Sequence, residues 1–462
     1  MAGGIWKTQN KVRPGAYINF KNEIFDGVDL KNGGIVTVPL AFNFGAEQEV
    51  SVVTKKTNLE FFGEGEGVLL LQEALKRAKV VLVYRLNTGG KAHSTVNADG
   101  QVAEPKNVQA YETGDGVTIE WDPVMESTGE LTIRAKHGGS FGNHISVTCQ
   151  ENVDGGSFRV ATYVKGEMKD IQTVTHSKDL KANDYVVFEG YTELFDFTTA
   201  LNEGTDDEVT AEDYAGYFET IEAYQFNYMA LPVEDDSIKQ TAIEFITRLR
   251  DEEGEKCQLV VSNVVADHEA VINVTNGVVL ENGTIIHPHH ATVWVAGASA
   301  VCELGKSLTY QAYDGAVNVY GKLTSKETEL AILSHEFVFT EVRGRVVVET
   351  DINTLHTYTE DVGKVWSKNE AVRIFDYIAN NTKQVFEDNF IGKVVNNANG
   401  REAFRADRIG FFNELESREI IQDFDKETVV VNEGEEKDSM TLTAEVKVLN
   451  TLEKLYMTVS TQ

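Results

Sequence analysis

A two-residue hydrophobic period at the end of the chain limits its fold more than any other feature. Leu442, Ala444, Val446 and Val448 alternate with Thr441, Thr443, Glu445 and Lys447. After Asn450-Thr-Leu-Glu453 the alternation resumes, with Leu455, Met457 and Val459 against Lys454, Tyr456 and Thr458. Period two is the signature of a strand with one face buried. The second strand stops three residues before Gln462. An extended terminus with an apolar face needs a sheet to join, because a free edge leaves backbone donors and acceptors bare. It either closes its own domain's sheet or adds to a neighbouring copy as an arm. The other end has the same character. Ala2 to Pro14 is rich in Gly, Lys and Asn with a single Trp6, too little apolar surface to fold alone. The strand-like Gly15-Ala-Tyr-Ile-Asn-Phe20 follows it.

Between these ends, 462 residues provide for about three or four domains. A hydrophobic content of 42% with 25% charged residues is that of a globular protein. The 42 basic and 73 acidic residues leave a formal charge of -31, which opposes broad contact with nucleic acid or an anionic membrane. Cys149, Cys257 and Cys302 form no CxxC and are odd in number, so a reducing, cytoplasmic origin is expected. No signal peptide is read behind Met1, and no run approaches the roughly 18 apolar residues of a membrane span.

The periodicity changes along the chain. Gly34 to Leu86 reads as a small α/β unit, with strands at Ile35–Leu40, Glu49–Val53 and Val80–Tyr84 and a helical face of Leu69, Leu70, Ala74, Leu75 and Ala78. Gly63-Glu-Gly-Glu-Gly67 matches no phosphate-loop spacing and reads as a turn. Gly89 to about Glu189 is all-β, with alternation at Val117–Trp121, Leu131–Arg134, Ile145–Thr148 and Phe158–Ala161. Ala182 to Ile238 holds fifteen acids and neither Lys nor Arg, a solvated acidic face in which Asp206-Asp-Glu208 lacks calcium-loop spacing. From Phe226 a strand–helix–strand pattern describes a layered α/β domain, including a small-residue helix at Ala291–Cys302 and strands at Glu336–Phe339 and Arg345–Glu349. Asp351 to Phe424 is mostly helical, with Asn399-Gly400 as the expected break between two helices.

The chemistry of a catalyst is missing. His287-Pro-His-His290 is the best metal-like cluster, yet it has no cysteine partners and its imidazoles are too close in sequence to converge easily. His335-Glu336 lacks the second histidine of a zincin, and Gly297-Ala-Ser-Ala300 lacks the second glycine of a nucleophile elbow. No catalytic residue, metal or cofactor is expected.

Several stretches together resemble one family: Lys11-Val-Arg-Pro-Gly-Ala-Tyr-Ile18, Gly34-Ile-Val-Thr-Val-Pro-Leu40, Asn276-Gly-Val-Val-Leu280, Ala291-Thr-Val-Trp-Val-Ala-Gly-Ala298, Val348-Glu-Thr-Asp-Ile-Asn-Thr-Leu355, Ile391-Gly-Lys-Val-Val-Asn-Asn397 and Glu453-Lys-Leu-Tyr-Met-Thr-Val459. The chain resembles the contractile tail sheath proteins of bacteriophages, closest in style to those of Gram-positive phages, defective prophages and R-type bacteriocins. The resemblance implies an α/β and all-β multidomain protein. Its expected parts are an extended arm over residues 1–25, a small α/β domain over 26–90, a β-sandwich insertion over 91–190, a subtilisin-like α/β domain without a catalytic triad over 191–353, an α+β assembly domain over 354–449 and a second arm over 450–462.

By the same resemblance, subunits stack as rings or helical strands around an inner tail tube. They contract to drive it through a cell envelope, in a virion tail or bacteriocin particle assembled in the bacterial cytoplasm. The implied partners are further copies of the chain, the tube protein, the baseplate and the tail terminator, without direct nucleic-acid contact or membrane insertion. Tyr17, Ile18, Phe20, Leu455, Met457 and Val459 would then belong to inter-subunit arms. The segment Lys364 to Arg408 carries eight bases and six acids, so Lys393, Arg401, Arg405 and Arg408 are expected to face the tube. Competing readings are a hydrolase on the α/β domain and another self-assembling tail component, such as a tube or baseplate protein.

Overall fold

The computed structural model describes residues 33–97, 102–103, 129–360 and 362–460. At its centre lies a six-stranded sheet. From one edge its strands are Val271–Val274, Gln258–Ser262, Tyr228–Ala230, Ile35–Leu40, Val80–Arg85 and Val50–Val53. The last is antiparallel and the others are parallel. All five parallel strands are buried along their whole length. Burial on both faces explains why they read as near-continuous apolar runs rather than alternating ones. The unit expected over 26–90 keeps no sheet of its own, since Ile35–Leu40 pairs with Tyr228–Ala230 on one side and Val80–Arg85 on the other.

Helices cover both faces. On one side lie α1 (Glu66–Leu75) and α4 (Pro288–Val301), on the other α2 (Ala211–Ile221) and α3 (Asp236–Asp251). Val36, Val38 and Leu40 join α1 and α4 in the main core, whereas the Thr37 hydroxyl lies 3.0 Å from the hydroxyl of Tyr217 on α2. Residues Ala291 to Ser299 of α4 are all buried, as a helix apolar on every side must be. At Gly297 a Cβ would stand 2.8 Å from the Ala74 carbonyl oxygen, so the missing side chain lets α4 lie directly on α1. Three residues earlier the Trp294 ring stacks on Tyr313 at 4.3 Å and donates to Asp314 over 3.0 Å.

The all-β region forms two four-stranded antiparallel sheets. One holds Val186–Gly190, Glu130–Ala135, His93–Asn97 and Val102–Ala103, the other Phe197–Ala200, Ile145–Glu151, Phe158–Val164 and Glu167–Val174. Leu131, Ile133 and Ala135 pack with Ile145, Val147 and Cys149 in a core of their own. The strand expected at Val117–Trp121 lies outside the described residues.

Gly277–Leu280 pairs with Ile285–Ile286 just ahead of α4 and with Ala316–Tyr320 after it, then α5 (Ser325–Leu333) leads to a hairpin of Phe339–Val342 and Arg345–Val348. The hairpin starts later than Glu336 because Phe337 bridges instead to Val274 at the edge of the central sheet, and it closes on a two-residue turn, Arg343-Gly344, with both φ angles positive at 52° and 74°. The chain then forms α6 (Asn369–Asn389) and α7 (Ala398–Ser417). Asn399-Gly400 is not the break between them. Asn397 caps α7 by accepting from the Gly400 amide at 2.9 Å, which puts both residues in the first turn. Nor is Met440–Leu449 one strand. Met440–Thr443 pairs with Val430–Glu433, and Lys447–Val448 pairs with Ile421–Gln422. Leu442, Ala444, Val446 and Val448 still pack on one cluster with Ile374, Phe412 and Leu415.

Candidate assembly surfaces

The C-terminal module is joined to the layered core through buried ions. Arg250, in the last turn of α3, donates from both terminal nitrogens to Asp376 of α6 at 2.9 Å each. Gln258 of the central sheet donates to the same carboxylate at 3.1 Å. One turn earlier on α6, Arg373 reaches Asp351 at 2.7 Å, and Asp351 also accepts from Asn369 at 2.8 Å and the Leu308 amide at 2.9 Å. Burial alone would loosen the proton on Arg250, but Asp376 outweighs it and holds the guanidinium charged. Such a joint fixes orientation more firmly than an apolar contact would, since sliding unpairs a buried charge.

Past this joint α6 leaves the core. Its buried residues end at Asp376, and the helix continues to Asn389 with Phe386 and Phe390 packed against Phe404 of α7. The turn between the helices exposes Ile391, Val394 and Val395. Of the four cations expected on a tube-facing rim, Lys393 is exposed, Arg401 and Arg405 are partly buried and Arg408 is buried. Lys393 stands in that turn, exposed, with its ammonium on the Asp388 carbonyl. Arg401 donates to Asn396 at 3.0 Å, and Arg405 donates to the carbonyls of Val429 at 2.7 Å and Lys426 at 3.1 Å. Arg408 is buried, donating to Asn381 at 2.9 Å and Thr382 at 3.2 Å with its guanidinium over the Phe411 ring. Arg408 is therefore corrected to a fastener between α6 and α7. Its partners lie one helix away, so no local pattern marks them.

Of the expected arm residues, Tyr17, Ile18 and Phe20 lie outside the described residues. Leu455, Met457 and Val459 are described, belong to no strand in the isolated chain and are 86%, 75% and 72% exposed. The alternation is present in sequence, but among the described residues no strand pairs with this stretch.

The remaining candidates serve the scaffold. His290 Nε2 lies 2.5 Å from Glu66 at the start of α1, and His289 Nδ1 lies 3.4 Å from Glu234. Burial lowers the pKa of both imidazoles. Among the described residues no group of three or more His, Cys, Asp or Glu is arranged to hold a metal ion. In the acid-only stretch, Asp206 accepts from the Ser140 amide at 3.0 Å, Asp207 from Thr88 at 2.7 Å and Asp235 from two amides at the start of α3. Asp213 closes a capping box with Thr210. No helix among the described residues is long and apolar enough to cross a membrane.

Comparison with known proteins matches most of this chain. Residues 207–354 match the phage tail sheath protein central domain, residues 361–462 the phage tail sheath C-terminal domain, and residues 33–86 the N-terminal region of domain III of tail sheath protein Gp18. The chain is 33% identical to the phage-like element PBSX protein XkdK of Bacillus subtilis, over 99% of each chain. It is 26% identical to the tail sheath protein of Clostridium phage phiCD119, over 44% of this chain and 56% of that one. Among solved structures, the sheath tail protein of Desulfitobacterium hafniense is 36% identical with a TM-score of 0.78, covering 96% of this chain and 99% of that one. The sheath tail protein of Listeria innocua is 32% identical with a TM-score of 0.76, covering 92% and 94%.

Proposed function

Because this chain belongs to the phage tail sheath protein family, we propose that its copies polymerise around an inner tail tube and contract to drive that tube through the target cell envelope. The observation that carries this reading is the exposed end. Leu455, Met457 and Val459 are at least 72% exposed, and their alternation with Lys454, Tyr456 and Thr458 is that of a strand. A neighbouring copy can provide the edge they lack, by strand addition. The first arm, with Tyr17, Ile18 and Phe20, is assigned the same role. The layered core is read as subtilisin-like in architecture only; it orients the module that assembles and performs no catalysis. The baseplate and tail terminator are its partners at the two ends of the polymer, which forms in the cytoplasm and leaves in the particle.

Contraction in this reading draws on a two-state lattice, without nucleotide hydrolysis. Purified subunits are expected to form wide tubes directly in the contracted state when imaged by negative stain. Shortening that required ATP would overturn this. Deleting residues 2–20, or Leu455 onward, is expected to leave a folded monomer with the parental melting temperature; tubes formed by either truncation would refute arm exchange.

A further inference from the structure

Where the tail stops touching its own subunit is sharply marked. The Leu449 amide donates to the Ile420 carbonyl at 3.1 Å, continuing the short Lys447–Val448 strand. Thr451 then donates twice to Glu370 at the start of α6, from its amide at 2.9 Å and its hydroxyl at 3.0 Å. Two residues on, Glu453 accepts from Thr309 at 3.0 Å and from the Lys368 ammonium at 2.6 Å, leaving its side chain 22% exposed. Leu452, between them, is fully exposed. Thr451 and Glu453 thus face the subunit while Leu452 faces away, as an extended segment held through alternate residues requires. Past Glu453, Lys454 lies over the groove between α5 and the Phe339–Val348 hairpin, and from Leu455 the chain stands in solvent.

We propose that Glu370, Lys368 and Thr309 form a clamp on Thr451 and Glu453 that positions the C-terminal arm, so that the exchanged segment begins at Lys454 and residues 447–453 stay with their own subunit. The proposal rests on the arm reading above and deepens it. The clamp acts by shortening a tether. Released back to Leu449, the free end up to Gln462 would span thirteen residues instead of nine. The effective concentration of a tethered segment falls roughly as the −3/2 power of tether length, so the clamp raises it about twofold, and it also sets the direction of departure. Glu370 is placed for a further reason. It sits one turn before Arg373 and two turns before Asp376, so the arm is fastened to the stretch of α6 that the buried joint holds to the core.

Three proteins are compared: the full chain, a truncation ending at Lys454, and a full chain carrying Thr451→Val with Glu453→Ala. Both substitutions are in the tail, so folding is checked by melting temperature and is expected to hold. With unassembled protein, trypsin is expected to cut the parent after Lys454 and to spare Lys447. The double variant is expected to be cut after Lys447 about tenfold faster or more, since charge-assisted bonds are the strong ones. In pelleting assays the variant's critical concentration for polymerisation is expected to rise at least about twofold. If the truncated protein polymerises at the parental concentration, the arm reading fails and the clamp has nothing to position. If truncation abolishes polymers while the variant assembles like the parent, the arm stands and the clamp is refuted. Equal cutting after Lys447 and Lys454 in the parent also refutes it.

Discussion

Gly297 shows how one missing methyl group sets the spacing of two helices. Replacing it with Ala improves helix propensity by about 1 kcal/mol. The new Cβ, however, would stand 2.8 Å from the Ala74 oxygen and 3.2 Å from the Ala78 nitrogen, both backbone atoms. Overpacking of this kind costs about 1–3 kcal/mol, so Gly297→Ala is expected to lower the urea midpoint despite its propensity gain. Arg250→Met leaves Asp376 buried without its partner, a loss of about 3–5 kcal/mol, whereas Arg250→Met with Asp376→Leu is expected to recover most of it. His137 makes stability depend on pH. Burial, with Lys136, Lys91 and Arg85 nearby, lowers its pKa from 6.5 to about 4. Between those values the unfolded chain binds a proton that the folded chain refuses, so stability falls as pH drops from 6.5 to 4. His137→Leu is expected to shrink the difference between urea midpoints measured at pH 7 and pH 5. Single residues are legible in sequence where their role is local: Asp235, Asp236 or Ser237 can each cap the helix that follows them, and Asp235 is the one that does. Arg408 is not legible, because its role depends on Asn381 and Thr382 of a different helix.

Elements were legible wherever periodicity and punctuation agreed. Ile35–Leu40 has the expected bounds, and the small-residue run from Ala291 is the buried α4. Hydrophobic periodicity leaves α2 and α5 unmarked, although each opens with a capping box, Thr210 with Asp213 and Thr324 with Glu327. In α2 the dense acids dilute the apolar stripe of Tyr217, Phe218 and Ile221, which form its buried face. The shared sheet was not legible because its neighbouring strands, Ile35–Leu40 and Tyr228–Ala230, are separated by the whole β-sandwich. For assembly, the α6–α7 turn carries the one expected tube-facing cation that is exposed, Lys393. Lys393→Glu is expected to reduce tube-filled extended particles while empty contracted sheaths still form. Each contact contributes only about 0–1 kcal/mol, so the loss should be largest at low salt. Unchanged tube loading in low salt would remove Lys393 from the tube contact.

At the scale of the whole molecule, a subunit with a formal charge of -31 repels its own copies. Residues 182–238 carry fifteen acids and no Lys or Arg, so the repulsion is unevenly distributed. Ionic strength of about 0.1 M already limits its range to about 10 Å. The critical concentration for polymerisation is therefore expected to fall as salt rises, measured by pelleting across a salt series. A critical concentration that rises with salt would mean that attractive charge contacts between subunits dominate instead.

The wet end of the chain also bears on when a lattice starts. Five apolar side chains from Leu452 to Val459 stand in water in the single subunit, and in the proposed lattice a second copy would cover them. In that lattice, two free subunits meeting in solution would have to order both C-terminal segments at once. A subunit arriving at an existing ring meets edges already held in place, so growth is faster than initiation. Polymerisation followed by light scattering should show a lag that short preformed sheaths abolish. In the cell the same asymmetry would reserve the subunit pool for tails already begun.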